Sequence, residues 1–194
     1  MVRSKKFSFI IFFHVLTFVL WAGQVQAATQ EKYKRTVENY IVPDIMLVNQ
    51  DGVKVNLRTL LSSKKVVMVD FIFTTCTTIC PVLSAGFSNF QKRIGSDSKN
   101  VHLVSISIDP EHDTPKKMKD YLKRYDARPG WDFLTGTRKD IKMALDALNA
   151  YTVDKMYHLP LALLHSSADN QWVRIYGLIG TSDLIAEYEK VLKR

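Results

Sequence analysis

Cys76 and Cys80 are the only cysteines in this 194-residue chain. They stand in the segment Phe73-Thr-Thr-Cys76-Thr-Thr-Ile-Cys80-Pro81, where an apolar run gives way to helical periodicity. Residues four apart at a helix start share one side of its first turn. Unpaired amides there favour a thiolate over a thiol. Two such sulfurs can close a disulfide or chelate a soft metal ion, and thiolates select copper(I) or zinc. Both could also serve as small buried hydrophobes. Their position argues against that use, because open α/β sheets carry their chemistry where strands end. A four-thiolate zinc site and a disulfide-stapled miniprotein are excluded by the count of two.

A selective copper site needs a third ligand, and five histidines are available. His14 lies in an apolar leader. His102 reads as a packing or surface residue, and His112, between two acids, as a solvated one. His165, before a polar turn, and His158, in Tyr157-His158-Leu159-Pro160, both remain candidates. His158 qualifies if the strand it precedes lies beside the one that leads to the cysteines.

The elements that must position these groups are legible in outline. Val66–Phe73 (VVMVDFIF) is continuously apolar apart from Asp70, which suits a central strand buried on both faces. Asp70 there needs a partner or a raised pKa. Ile79, Leu83, Phe87, Phe90 and Ile94 recur at helical spacing and predict a helix over 79–94. Val101–Ile108 predicts a second buried strand. Thr114 as N-cap and Pro115 as first helical residue start another helix, with Met118, Tyr121, Leu122 and Tyr125 inward. A strand at Trp131–Leu134 and a helix marked by Ile141, Ala144, Leu145 and Leu148 follow. A hairpin of Leu159–Leu164 with Trp172–Tyr176 precedes a last helix capped by Thr181 or Ser182. Upstream, Pro43–Val48 and Val53–Asn56 flank the turn Asn49-Gln50-Asp51-Gly52 and predict an N-terminal hairpin, with a short helical turn at Leu57–Leu61. Alternating strands and helices imply an α/β fold with a parallel core, and the closing hairpin makes the sheet mixed.

Residues 1–27 carry a secretory pattern. Arg3, Lys5 and Lys6 precede an apolar stretch over 7–22, and Val25-Gln26-Ala27 predicts cleavage after Ala27. The stretch, of about 16 residues, falls short of the ~20 a spanning helix prefers, and an uncleaved membrane anchor is the alternative. Removing those three cations from +8 leaves +5, spread as pairs such as Lys64-Lys65 and Lys116-Lys117. A nucleic-acid footprint needs a clustered stripe, so no nucleic-acid partner is expected. Composition is near the globular average, with 46% hydrophobic and 24% charged residues, which excludes wholesale disorder. Residues 28–42 read as a polar linker and 43–194 as one domain. Export places the chain in the periplasm, where disulfides form.

The segment 43–57 (PDIMLVNQDGVKVNL), the strand 66–73, Cys-Thr-Thr-Ile-Cys-Pro, Ser107-Ile108-Asp109-Pro110 with Asp113-Thr114-Pro115, and a histidine before a late strand resemble the SCO/SenC family. The resemblance spans residues from about 40 to 194. It implies a thioredoxin-like fold, copper as the bound ion, and involvement in copper delivery to cytochrome c oxidase. Carried over by motif, the copper ligands fall on Cys76, Cys80 and His158, and Asp109 falls on an acidic loop-fixing position. The family usually has Asp-His followed by Ser or Thr where this chain has Tyr157-His158-Leu159-Pro160. Pro160 is similar in place to the proline, often cis, that faces the cysteines in thioredoxin-like reductases, and a cis Leu159–Pro160 bond is expected.

Two functions follow. The first is a periplasmic copper chaperone that holds the ion by two thiolates and an imidazole and passes it to the copper-A subunit of the oxidase or a similar client. The second is a thiol–disulfide oxidoreductase, with Cys76 as exposed nucleophile and Cys80 as resolving thiol, which reduces a client's metal-binding cysteines. Either requires a thiol–disulfide reductant. A peroxidase is disfavoured because no arginine stands beside Cys76 in sequence.

Overall fold

The computed structural model describes residues 33–193 apart from Asn170. The leader and His14 lie outside the described residues. In chain order the elements are β1 (Lys34–Glu38), β2 (Met46–Asn49), β3 (Lys54–Asn56), α1 (Leu57–Leu61), β4 (Val66–Ile72), α2 (Cys80–Ile94), β5 (Val101–Ser107), α3 (Pro115–Arg124), β6 (Trp131–Thr135), α4 (Arg138–Ala147), β7 (Leu161–His165), β8 (Trp172–Tyr176) and α5 (Thr181–Leu192). The strands form one sheet in the order β1-β8-β7-β4-β5-β6-β2-β3. β4, β5 and β6 are parallel, and every other pairing is antiparallel.

β4 is buried along its whole length because it feeds two cores. Val66, Met68 and Ile72 face one layer, which α2, α3 and α5 cover through Leu83, Phe87, Phe90, Tyr121 and Tyr188. Val67, Val69 and Phe71 face the other, covered by α1 and α4 through Leu57, Leu61, Ile141 and Leu145. Strand side chains alternate with period two, so Asp70 shares the face of Met68 and Ile72. Each fully buried Phe or Leu in these layers contributes roughly 2 kcal/mol of transfer free energy. The helices start where local chemistry directs. Thr114 accepts from the Lys117 amide with Pro115 in the first turn, Thr137 accepts from Asp140, and Asn56 from Thr59. In the β2–β3 turn, Asn49 Oδ1 accepts from the amides of Asp51 and Val53, and Gly52 takes a φ of +78°.

The structure differs from the sequence reading in several places; the strand expected from Pro43, for one, begins at Met46. Within 28–42, expected to be irregular, Lys34–Glu38 forms the edge strand β1 against β8. Its hold is remote: Tyr33 and Arg35 donate to Glu187, a buried carboxylate of α5. Pro160 lies before β7, which begins at Leu161. The Leu159–Pro160 bond is trans, since no cis peptide occurs among the described residues. The Pro160 carbonyl accepts from Gly177 at 3.0 Å, so the chain enters the hairpin extended and needs no sharp turn. Gly180, not Thr181 or Ser182, caps α5.

Candidate metal centre

β4 ends at Ile72, and the chain turns through Phe73–Ile79 into α2. Pro81 sits in the first turn, and no side chain caps the helix start. The Val82 and Leu83 amides donate to the Ile79 carbonyl and Pro81 has no amide hydrogen, so the amides that act on a sulfur here are those of Cys80 and Thr78, both toward Cys76. Both cysteines are free thiols; Cys80 is fully buried and Cys76 nearly so, not exposed as expected of a nucleophile.

β7 runs antiparallel to β4 with Asp70 opposite Ala162 and Val67 opposite His165. Continued past the strand ends, that register brings His158 abreast of Thr74. The turn Lys155–Tyr157 presents His158, whose Nδ1–H donates to the Lys155 carbonyl at 2.6 Å. A carbonyl only accepts, so the neutral ring keeps its lone pair on Nε2. That atom lies 3.4 Å from Cys80 Sγ. The Phe73 ring backs the imidazole edge-on at 5.4 Å. Ligand atoms of Cys76, Cys80 and His158 all lie within 4.8 Å of one another. Ligands about 2.0–2.3 Å from one ion stand roughly 3.5–4 Å apart, so closure requires about 1 Å of movement at most.

The two thiols differ in character. Burial raises the pKa of Cys76, but the Cys80 thiol, the amides of Cys80 and Thr78 and the Thr78 hydroxyl outweigh it, and the net shift is downward. Burial, with Cys76 alongside, pushes Cys80 well up. Burial also lowers the pKa of His158 and keeps it the neutral base a metal requires. Beneath them, Asp70 is fully buried with no hydrogen-bond partner on either oxygen. Burial raises its pKa from 3.8 to about 7, against a weaker pull from Ser105, its register partner on β5.

The other histidines lie apart from this group. His165 sits at the opposite end of β7, stacked on Trp172 at 4.4 Å with Nδ1 donating to the Gln171 carbonyl. His102 pairs with Asp132 at 2.8 Å. His112 is exposed and bonds Asp109. Asp109 fixes a loop as expected, since its carboxylate also pairs with Lys155. Sequence reasoning missed Asp113. It is buried, and its carboxylate accepts from the Thr74 amide and hydroxyl and from Ser107. The motif Asp113-Thr114-Pro115 was the available signal, but it also reads as a plain helix start.

Fold and site together define a thioredoxin-like protein with two thiols and one imidazole gathered at the ends of its central strands. The chain belongs to the SCO1/SenC family, whose pattern matches residues 33–176. A SCO1 protein homolog of Bacillus subtilis is 41% identical over 99 residues, 50% of each chain. The chain spans about half the length of the curated relatives it matches. BsSco, a member of the Sco family of cytochrome c oxidase assembly proteins in which a disulfide switch was identified, superposes with a TM-score of 0.67 at 31% identity, over 80% of this chain and 95% of its own. Bradyrhizobium japonicum ScoI, solved with copper bound, gives 0.65 at 28% identity, over 78% and 99%.

Proposed function

We propose that this protein is a copper metallochaperone for cytochrome c oxidase assembly, delivering copper to the copper-A site. The observation that carries the reading is the convergence of Cys76, Cys80 and His158 at one place, although Cys80 and His158 are 78 residues apart in sequence. Family membership and the copper-bound relative support copper as the cargo. Two thiolates hold copper(I), and the imidazole adds a donor that suits copper(II). Oxidation of the thiols to a disulfide gives up two protons and two electrons to an oxidant and removes both sulfur donors. A thiol–disulfide reductant must therefore keep the protein competent. The test is copper titration of the reduced and disulfide forms, followed by transfer to an isolated copper-A domain read by that domain's visible spectrum. One copper per reduced chain and no tight binding by the disulfide form are expected. Equal affinity in the two forms rejects the site.

The unlike thiols favour a second reading, a thiol–disulfide oxidoreductase acting on a copper-site client. The Cys76 thiolate would attack the client disulfide, form a mixed disulfide and release one client thiolate. Cys80, once deprotonated, would then attack Cys76 Sγ and release the second. The client gains two electrons and this protein becomes the disulfide. Rapid reduction of such a client together with weak copper affinity would put this reading first. In both readings the protein works in the periplasm, exported by residues 1–27 and either released after Ala27 or held to the membrane by the uncleaved leader.

A further inference from the structure

The segment that carries His158 has little packing to hold it. Between α4 and β7 the chain runs as an arm whose regular structure is the turn Lys155–Tyr157. Val153, Met156, Tyr157 and Leu159 are 94, 64, 79 and 65% exposed, so their apolar groups contribute little to its placement. From Tyr151 to Lys155 the arm walls a cavity of about 350 Å³ and does not lie on a core layer.

Asp154 closes the turn from within, its Oδ1 accepting from the Met156 amide and its carbonyl from the Tyr157 amide and Thr152 hydroxyl, whereas the ion pair that ties the turn to the neighbouring loop belongs to Lys155. Its carbonyl orients the His158 imidazole through Nδ1. Its ammonium pairs with Asp109 and stands 5.2 Å from the Phe73 ring that backs His158. An exposed lysine pair is worth under about 1 kcal/mol. This one ends on a carboxylate that is nearly buried, where salt screens less. Asp109 is itself rooted: its amide donates to Ser107 Oγ and its carbonyl accepts from the amides of His112 and Asp113. Asp113, in the same loop, grips Thr74 on the cysteine side. One loop, 108–114, thus holds both halves of the site, each by its own carboxylate.

We propose that Lys155 is a positioning residue that holds His158 over the thiols through Asp109. The histidine arm can therefore be released while Asp113 keeps the cysteines in place. The consequence for metal rests on the copper reading above: a released arm loses copper(II) and leaves copper(I) on the two sulfurs.

Lys155→Met keeps the carbonyl and most of the stem and removes the ammonium. In the reduced, metal-free protein, backbone order parameters of residues 154–159 should fall from about 0.85 toward 0.6, with those of 74–78 unchanged. Copper(II) affinity should fall by about 10- to 100-fold, as for other groups that orient a ligand. Copper(I) affinity should change by less than about threefold. Lys155→Arg should restore both. Asp109→Asn should loosen the same arm, and adding Lys155→Met to it should add nothing. If wild type binds copper and Lys155→Met alters neither the order parameters nor copper(II) affinity, the assignment is wrong. If both arms loosen together, Lys155 is a general structural residue and the proposal is overturned. If wild type binds no copper yet Lys155→Met loosens only the histidine arm, the copper reading fails and the positioning role stands.

Discussion

Replacing Asp70 with asparagine should stabilise the protein at neutral pH and erase one part of its pH dependence. Asp70 lies in the middle of β4, fully buried, with neither oxygen hydrogen-bonded. Burial raises its pKa from 3.8 to about 7. In the unfolded chain the group titrates near 3.9. Between those values the folded protein holds a proton that the unfolded chain has lost. Stability therefore falls as pH rises from about 4 to about 7 and levels off above. At about 1.36 kcal/mol per pH unit the whole loss is about 4 kcal/mol. About 3 kcal/mol of it falls between pH 5 and pH 8. Asparagine keeps the shape and cannot ionise. Asp109, Asp132 and Glu187 have depressed pKa values, and their contributions are lost in acid. They are common to both proteins and cancel in the difference. Urea unfolding of reduced wild type and Asp70→Asn at pH 5, 6, 7 and 8 should show the midpoints separating by roughly 1–2 M over that range. A gap that stays constant with pH would show that the carboxylate is compensated, and would refute the buried-charge argument.

Three further outcomes follow from the site. His158→Ala should weaken copper(II) more than copper(I), because imidazole suits the harder ion. His165→Ala, at the far end of β7, should leave copper binding intact and lower thermal stability through loss of the Trp172 stack; competition titrations with each oxidation state and a melting curve check both. Asp113→Ala strips the acceptor from the Thr74 and Ser107 donors, should cost about 2–4 kcal/mol in urea unfolding, and should weaken copper(I) as well because the cysteine loop loosens. Mass analysis of the exported protein should show a chain beginning at Ala28; an intact leader in the membrane fraction would establish the anchor instead.

Much of the fold is written in neighbouring residues. The apolar run over 66–73, the helical spacing from Ile79 to Ile94, Thr114-Pro115 and the Asn49–Gly52 turn each act over a few residues, and each appears where its pattern places it. Cys76 and Cys80 could be named for the same reason, since they stand four residues apart between a strand end at Ile72 and a helix start at Cys80. Position beside a late strand left His158 and His165 both open, and the resemblance carried by the motifs singled out His158.

Other features were decided by partners distant in the chain. β1 has no apolar periodicity, and it stands as a strand because β8 pairs with it and Glu187, more than 150 residues on, accepts from Tyr33 and Arg35. Pro160 could have been cis or trans on local grounds, and its carbonyl bond to Gly177 goes with the extended, trans entry into β7. Lys155 is one of many lysines until the loop after β5 sets Asp109 against it. His158 and His165 flank the same strand, and only the antiparallel register of β7 on β4 sends one to the cysteines and the other to the far edge. Periodicity and capping are near-neighbour interactions, so the sequence by itself determined the elements from β2 onward and the two thiols. Strand register, ion pairing and the burial of a charge depend on what folds back against each residue, and those only the tertiary structure decided.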